Sequence, residues 1–189
     1  MKLKNVLLVV DPQNVFISGS LAVKDADKFV KELVEYVKGE KKEEYDLCVI
    51  TLDYHPETHC SFKENGGEWP VHCVEKTNGA EVPTEILNAI KDAGIPVVML
   101  EKGTNEDTEE YSIFKNERSA KVLKKVLDNT EHVAVCGIAY DYCVKETLKD
   151  SVKQGYKDKL IVLSSLCPSI GDGKDVEEWL DDEGIPMIY

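Results

Sequence analysis

Apolar residues along the chain follow two alternating patterns. Short runs that are apolar throughout predict buried strands, and segments with apolar residues three and four positions apart predict amphipathic helices. The predicted strands cover residues 6–10, 47–50, 96–100, 133–136, 160–163 and, as a short last strand, 186–188. The predicted helices lie at 26–38, around 86–90, around 122–127, from about 143 to 152, and around 176–180.

This order of elements indicates a fold class. Strands that are apolar on both faces and separated by helices are typical of a parallel sheet covered by helices on both sides. We therefore predict a single doubly wound α/β domain over residues 1–189, with a mostly parallel sheet of five or six strands. A chain of this length can bury a core of that size.

The charge of the chain narrows the class of partner. The formal net charge is −13, and 42% of the residues are apolar and 31% charged, as in ordinary globular proteins. Nucleic acids and anionic membranes present phosphate, which a protein usually meets with basic patches. We therefore predict a small-molecule substrate, no nucleic-acid partner and no membrane partner.

The N-terminal residues and the cysteines bear on cellular location. The first apolar run is stopped by Asp11 after five residues, which is too short for a signal-peptide core or a membrane span. The six cysteines form no CxxC pair, so we expect reduced thiols rather than a disulfide framework. These features predict a cytoplasmic protein.

The stretch CGIAYDYCV, residues 136–144, predicts a strand, a tight turn and the start of a helix. Cys143 then falls in the first helical turn, where free backbone N–H groups and the helix dipole favour a thiolate. We therefore predict a nucleophile with a lowered pKa. The alternative is that Cys143 is a small buried apolar residue, as many cysteines in cytosolic proteins are.

Charged residues follow the ends of the other predicted strands. Asp11, Asp53 and Lys102 each come at or just after a strand end, and so does the turn before Cys143. Because ligands of parallel sheets bind outside the carboxyl ends of the strands, we expect these side chains to share one site. A carboxylate can take and return the thiol proton, and a lysine balances the charge. Taken singly, Asp11 is better explained as a turn former at a strand end and Lys102 as a solvated surface lysine.

Backbone groups of the same turn have a predicted role. The N–H groups from Ala139 to Cys143 lie where they could stabilise the oxyanion of a tetrahedral intermediate.

The loop DYHPETHCSFKENGGEWPVHC, residues 53–73, holds three of the four histidines of the chain. Asp53, His55, His59 and His72 together suit a borderline divalent cation such as Zn²⁺, Mn²⁺ or Fe²⁺. Their spacing matches no closed structural zinc site, and two cysteines, at positions 60 and 73, could compete as ligands. The alternative is a polar loop whose histidines cap backbone groups.

Five stretches in order carry a family resemblance: VVDPQNVF at 9–16, TLDYHPETHCSF at 51–62, WPVHCVEKTNGA at 69–80, EKGT at 101–104 with YSIF at 111–114, and CGIAYDYCV at 136–144. In these stretches the sequence resembles the nicotinamidase branch of the isochorismatase-like cysteine hydrolases. The resemblance implies a catalytic triad of Asp11, Lys102 and Cys143. It also implies a metal, most often zinc, held by Asp53, His55 and His72.

The resemblance implies further site features. His59 stands where some members of the family supply another metal ligand and others do not. The Ile138–Ala139 peptide matches the family's cis bond, with the backbone N–H groups of Ala139 and Cys143 in the oxyanion hole. Four aromatic residues match walls of the substrate pocket; they are Phe16, Trp69, Tyr111 and Tyr142, for which core packing is the alternative.

The metal-ligand set separates branches of the family, because isochorismatases and N-carbamoylsarcosine-type amidohydrolases typically lack it. The resemblance therefore implies hydrolysis of nicotinamide to nicotinate and ammonia through a thioester, in NAD salvage. Two alternatives stay open: a related amidohydrolase acting on another aromatic or ureido amide, and a catalytically silent binding or scaffold protein. We also expect a homo-oligomer.

Overall fold

One six-stranded sheet organises the molecule. The computed structural model describes residues 2–39 and 44–189. The strands are β1 (Leu3–Val10), β2 (Leu47–Asp53), β3 (Val97–Lys102), β4 (Thr130–Gly137), β5 (Leu160–Leu163) and β6 (Met187–Ile188). The helices are α1 (Asn14–Ser18), α2 (Ala26–Lys38), α3 (Thr84–Asp92), α4 (Glu117–Asp128), α5 (Lys145–Lys153) and α6 (Lys174–Glu183).

The strand order is β3-β2-β1-β4-β5-β6, and every neighbouring pair is parallel. The chain therefore builds outward from β1 in one direction and then in the other. Because crossovers between parallel strands are right-handed, α2 and α3 cover one face and the later helices cover the opposite face. The predicted doubly wound α/β class is confirmed, with the short sixth strand present.

The core lies between the sheet and the helices. The central residues of β1, from Val6 to Val10, are all buried, as are Val133, Val135 and Cys136 of β4. Helix α2 contributes Phe29, Val30, Leu33 and Val37 at the predicted spacing. None of the helices in the described ranges is long and apolar enough to cross a membrane.

Two elements near the carboxyl edge of the sheet differ from the sequence prediction. The five-residue helix α1 follows Asp11 directly and was not predicted. The segment Tyr140–Val144 is a π-helical turn that runs into α5, so Cys143 precedes the regular helix instead of lying in its first turn. Extra backbone in such turns is often found at functional sites.

Strands are added to one side of β1 first and to its other side afterwards, so the strand order reverses between β1 and β4. In parallel sheets a crevice for ligands opens at such a point, outside the carboxyl ends of the strands. Close contact of the two strands at this point depends on Gly137, because a Cβ there would collide with the backbone of Val10. Gly137 also has a φ of 131°, which side chains rarely adopt. The turn that carries Cys143 therefore starts directly beside Asp11.

Candidate active site

The predicted triad residues come together at this crevice. Lys102 is fully buried, and its Nζ lies 3.0 Å from an Asp11 carboxylate oxygen and 3.4 Å from the Cys143 sulfur. The same ammonium also pairs with Asp53. Strand register explains this arrangement, because Asp53 and Lys102 are direct partners in the pairing of β2 with β3.

Asp11 is held by contacts on both sides. Its Oδ1 accepts a hydrogen bond of 2.6 Å from the Thr51 hydroxyl, and on its other side the Cys143 sulfur lies within 4.8 Å of a carboxylate oxygen. Burial raises the pKa of Asp11, and the Asp53 carboxylate raises it further against the opposing effect of Lys102. A raised pKa makes Asp11 a better proton acceptor than an ordinary carboxylate.

The predicted lowering of the Cys143 pKa is wrong for this site. Burial raises the pKa of the thiol well above its usual value, and although Lys102 opposes this, Asp11 and Asp53 add to the increase. The helix-start argument failed because it considered only backbone dipoles, whereas the sulfur is enclosed beside two carboxylates. The thiol is therefore the stable form, and a carboxylate that can accept its proton lies within 4.8 Å of the sulfur.

Lys102 responds in the opposite sense. Burial lowers the pKa of its ammonium, but the carboxylates of Asp11 and Asp53 and the Cys143 sulfur raise it well above its usual value. The lysine therefore remains charged throughout the neutral pH range. A buried ammonium with two carboxylates keeps this centre from carrying two uncompensated negative charges.

A second cluster lies beside the first and shares Asp53. The ligand atoms of Asp53, His55 and His72 all lie within 4.8 Å of one another. Both histidine Nε2 atoms face the Asp53 Oδ2 atom, at 3.7 Å for His55 and 4.0 Å for His72. The ligand atoms of a second group, Asp11, Asp53 and Cys143, also lie within 4.8 Å of one another. Both carboxylates of this group already pair with the Lys102 ammonium.

The hydrogen bonds of the two histidines fit a metal site. His55 Nδ1 lies 2.9 Å from the Gly103 carbonyl, and His72 Nδ1 lies 2.8 Å from the Pro70 carbonyl. Because a carbonyl oxygen only accepts, each Nδ1 carries the proton and each Nε2 offers a lone pair. The buried Nε2 of His55 has no hydrogen-bond partner among the residues that the structure describes. These donors therefore fit a borderline divalent cation such as zinc.

Charge at the two histidines differs. Burial lowers the pKa of His72 to about 4, so its ring is neutral near pH 7, the form that binds a metal. Burial also lowers the pKa of His55, but its interaction with the nearby Asp53 carboxylate raises it more. The Asp53 carboxylate itself has a lowered pKa, because Lys102 and His55 outweigh the opposing effect of burial.

His59 lies behind His55 and outside the three-residue cluster. Its ring stacks on the His55 ring with 3.9 Å between centroids. One ring nitrogen lies 2.7 Å from the Ser61 hydroxyl and the other 3.1 Å from the Thr108 carbonyl. Both nitrogens are therefore engaged in hydrogen bonds in this arrangement.

The two clusters open into one pocket, whose empty volume, with open solvent included, is about 360 Å³. All four predicted aromatic residues line it, with Ala139 and Cys143 at its inner end. The Trp69 indole donates a hydrogen bond of 2.9 Å to the Tyr111 hydroxyl and packs edge-on against Tyr142 at 5.1 Å. Phe16 packs against His72 at 6.0 Å.

With this geometry established, comparisons with known proteins place the chain in a family. Residues 5–179 match the sequence profile of the isochorismatase domain. The chain belongs to this family.

Similar members of the isochorismatase family are amidases. A nicotinamidase of Saccharomyces cerevisiae is 30% identical over 186 residues, covering 82% of this chain and 85% of the relative. The crystal structure of a Pyrococcus horikoshii pyrazinamidase in complex with zinc has a TM-score of 0.81 at 33% identity, with 98% of each chain covered. The yeast nicotinamidase bound to the inhibitor nicotinaldehyde has a TM-score of 0.82 at 29% identity, covering 97% of this chain and 99% of the other.

Several residues of this isochorismatase domain that support the site were not predicted. Gln13 is buried and bridges β1 to β2, because its amide donates to the Asp53 carbonyl and accepts from the Asp53 N–H. The Glu110 carboxylate accepts from the Gly103 N–H at 2.6 Å, beside the carbonyl that holds His55. The available signal was that Gln13 lies inside the VVDPQNVF stretch and that Glu110 directly precedes the YSIF stretch.

Another residue missed in the sequence is Asp141, in the turn that carries Cys143. Its carboxylate accepts hydrogen bonds from the N–H groups of Ile170 and Gly171, at 3.0 and 2.7 Å. Ile170 lines the pocket. Asp141 therefore connects the turn that carries Cys143 to a segment that lines the pocket.

Proposed function

We propose that the protein is a nicotinamidase, a metal-dependent cysteine amidohydrolase that converts nicotinamide to nicotinate and ammonia. One observation carries the proposal: the buried Lys102 ammonium joins the Asp11–Cys143 pair to the Asp53, His55 and His72 cluster, and both face one small aromatic pocket. The names of the relatives support the same reaction, since they include nicotinamidases and a pyrazinamidase in complex with zinc.

The chemistry begins with proton transfer from the Cys143 thiol to Asp11, whose carboxylate lies within 4.8 Å of the sulfur. The sulfur then attacks the amide carbon, and the Lys102 ammonium 3.4 Å away stabilises its negative charge. Asp11 returns the proton to the amide nitrogen, so that ammonia leaves and a thioester remains. Water adds to the thioester carbon and loses a proton to Asp11, after which the acid leaves and the proton returns to Cys143.

The oxygen of the tetrahedral intermediate needs donors that are already in place. In this proposal the donors are the backbone N–H groups of Ala139 and Cys143, at the inner end of the pocket. The Ile138–Ala139 peptide is cis, as the family resemblance implied.

Asp53, His55 and His72 would hold the divalent cation, with zinc favoured and manganese or iron as alternatives. When bound, the cation supplies a Lewis-acid contact for the ring nitrogen of the substrate. Phe16, Trp69, Tyr111 and Tyr142 enclose the ring and orient its amide toward Cys143. Burial raises the pKa of Tyr111 to about 12, so its hydroxyl stays neutral and can accept the Trp69 hydrogen bond. His59 supports the His55 ring from behind in this proposal.

In the cell, the proposed reaction would contribute to NAD salvage in the cytoplasm, carried out by a homo-oligomer. The six cysteines of the sequence form no CxxC pair, which supports a reducing compartment.

Ammonia release from nicotinamide tests the reaction and the metal together. We expect turnover that is lost after chelation and restored by Zn²⁺, Mn²⁺ or Fe²⁺. Turnover that survives complete removal of metal would contradict the assigned role of the Asp53 cluster. If no metal supports turnover of nicotinamide, another amide substrate or a silent scaffold becomes the better explanation.

A substitution of the nucleophile tests the mechanism. We expect Cys143→Ala to lower kcat by at least about a thousandfold while metal content stays at the wild-type value. Cys167→Ala is the matched control, because Cys167 is also 6% exposed and lies outside the pocket. Near wild-type activity of Cys143→Ala would contradict covalent catalysis.

A further inference from the structure

The proposed mechanism leaves one charged side chain of the pocket without a role. Among the described residues that line the pocket, the only charged ones are Asp53 and Glu109. Asp53 belongs to the ligand cluster, whereas Glu109 lies on the segment between β3 and α4 and belongs to neither cluster. No lysine or arginine of the described residues lines the pocket, and Lys102 is fully buried outside its lining.

The position of Glu109 is fixed by its two neighbours. The carbonyl of Thr108 lies 3.1 Å from a ring nitrogen of His59, and the carboxylate of Glu110 accepts from the Gly103 N–H. One residue further on, the Tyr111 hydroxyl accepts the Trp69 hydrogen bond. Glu109 is therefore held at the pocket wall and is not on a freely moving loop.

The Glu109 carboxyl is also electrically coupled to the site. It is partly buried, and its pKa is raised by that burial and by the nearby Asp53 carboxylate, against the opposing effects of His55 and Lys102. Within residues 2–39 and 44–189, its Oε1 accepts one long hydrogen bond of 3.2 Å, from the N–H of the next residue. The carboxylate is thus available to act on whatever occupies the pocket.

A count of charges shows what Glu109 contributes. Asp11, Asp53 and Glu109 carry three negative charges and Lys102 one positive charge, a sum of minus two. A divalent cation on the Asp53 cluster brings this sum to zero. Without Glu109 the loaded site would carry one net positive charge, and it would attract an anion.

We propose that Glu109 makes the pocket selective for the neutral amide and expels the anionic carboxylate product. This inference rests on the proposed function, in which a neutral aromatic amide becomes an aromatic acid that is ionised at neutral pH. Retention of the acid would slow each cycle, and a fixed negative charge at the pocket wall opposes that retention. Glu109 acts through charge and does not take part in bond making.

Equilibrium binding to a protein that cannot turn over its substrate tests the inference. Zinc-loaded Cys143→Ala, Cys143→Ala/Glu109→Gln and Cys143→Ala/Asp107→Asn would be titrated calorimetrically with nicotinamide and with nicotinate. Asp107→Asn is the matched control, because it removes one negative charge from the same exposed segment outside the pocket. Zinc content is measured for each protein.

We expect Glu109→Gln to tighten nicotinate binding about ten- to fiftyfold. This range corresponds to the repulsion between two unit negative charges, one on Glu109 and one on nicotinate, roughly 7 Å apart at an effective dielectric constant of about 20–40. In Glu109→Gln, the affinity for nicotinamide and the zinc content should stay within about twofold of the Cys143→Ala parent, because glutamine is a neutral isostere of glutamate. Asp107→Asn should change neither the nicotinamide affinity nor the nicotinate affinity.

Four results would overturn the inference. If both ligands bind the parent and the nicotinate affinity is unchanged in Glu109→Gln, this inference is overturned and the proposed function stands. Equal tightening in Asp107→Asn would assign the effect to net charge, and loss of zinc from Glu109→Gln would make Glu109 a metal ligand. Failure of both ligands to bind the zinc-loaded parent would overturn the proposed function together with this inference.

Discussion

Gly103 holds the His55 ring in place through its carbonyl oxygen and because it has no side chain. Its carbonyl accepts the Nδ1–H of His55 at 2.9 Å, and a Cβ at this position would collide with the same imidazole ring. Gly103 also has a φ of 64°, which residues other than glycine adopt only at a cost. One glycine therefore sets both the tautomer and the position of a predicted metal ligand.

Gly103→Ala should therefore lose bound zinc, because the new methyl group displaces His55. Gly184→Ala is the control: Gly184 has a similar φ of 68°, but a Cβ there meets nothing within 4 Å. Both variants should lose roughly 1–2 kcal/mol of stability from backbone strain. Only Gly103→Ala should show reduced zinc content by elemental analysis and reduced ammonia release. Equal zinc content in the two variants would contradict this account.

The buried Lys102 ammonium should be required for folding stability as well as for chemistry. In metal-free protein, Lys102→Met leaves Asp11 and Asp53 without a positive partner, and we expect a loss of about 3–5 kcal/mol in urea unfolding. Adding Asp11→Asn removes one of the uncompensated charges and should restore part of the loss. Lys121→Met, which breaks an exposed pair with Glu117, should change stability little. A Lys102→Met protein as stable as wild type would show that the two carboxylates are protonated or solvated.

The two histidines His59 and His72 should respond differently to the same substitution. His72→Phe removes a ligand nitrogen, so zinc affinity should fall by at least about a thousandfold. His59→Phe keeps a ring stacked on His55, which lies 3.9 Å away, and should weaken zinc binding by about tenfold. Competition with a zinc-sensitive dye measures both affinities. Equal losses would make His59 a fourth ligand.

Asp141 should affect substrate binding more than catalysis. Asp141→Ala removes both hydrogen bonds to the segment that carries Ile170, which loosens the pocket mouth but leaves the Asp11–Lys102–Cys143 contacts intact. We expect KM for nicotinamide to rise about three- to tenfold with kcat nearly unchanged, the size expected for lost charge-assisted hydrogen bonds that are partly exposed. Asp172→Ala removes an exposed carboxylate from the same segment and serves as the control. A large fall in kcat would instead indicate that Asp141 orients the nucleophile.

The sequence pattern predicted the architecture because burial leaves a local and periodic record. Apolar runs located β1 to β6, and helical spacing located α2 to α6, since each element shows in its own residues which faces meet the core. The five-residue helix α1 escaped because it is too short to establish a period. The positions of the strand ends also predicted correctly that Asp11, Asp53 and Lys102 lie close together, because parallel strands share one carboxyl edge.

The sequence by itself thus determined the fold class, the edge of the sheet that carries the chemistry, and the residue types of the site. Only the tertiary structure decided how those residues behave. Burial raises the pKa of Cys143, whereas the sequence predicted a lowered pKa. The His59 ring stacks on His55 and lies outside the ligand cluster. Glu109 lines the pocket between two neighbours that are held by hydrogen bonds. The physical reason is that desolvation and charge interactions depend on groups far apart in sequence, and local periodicity contains no information about which loops will pack against each other.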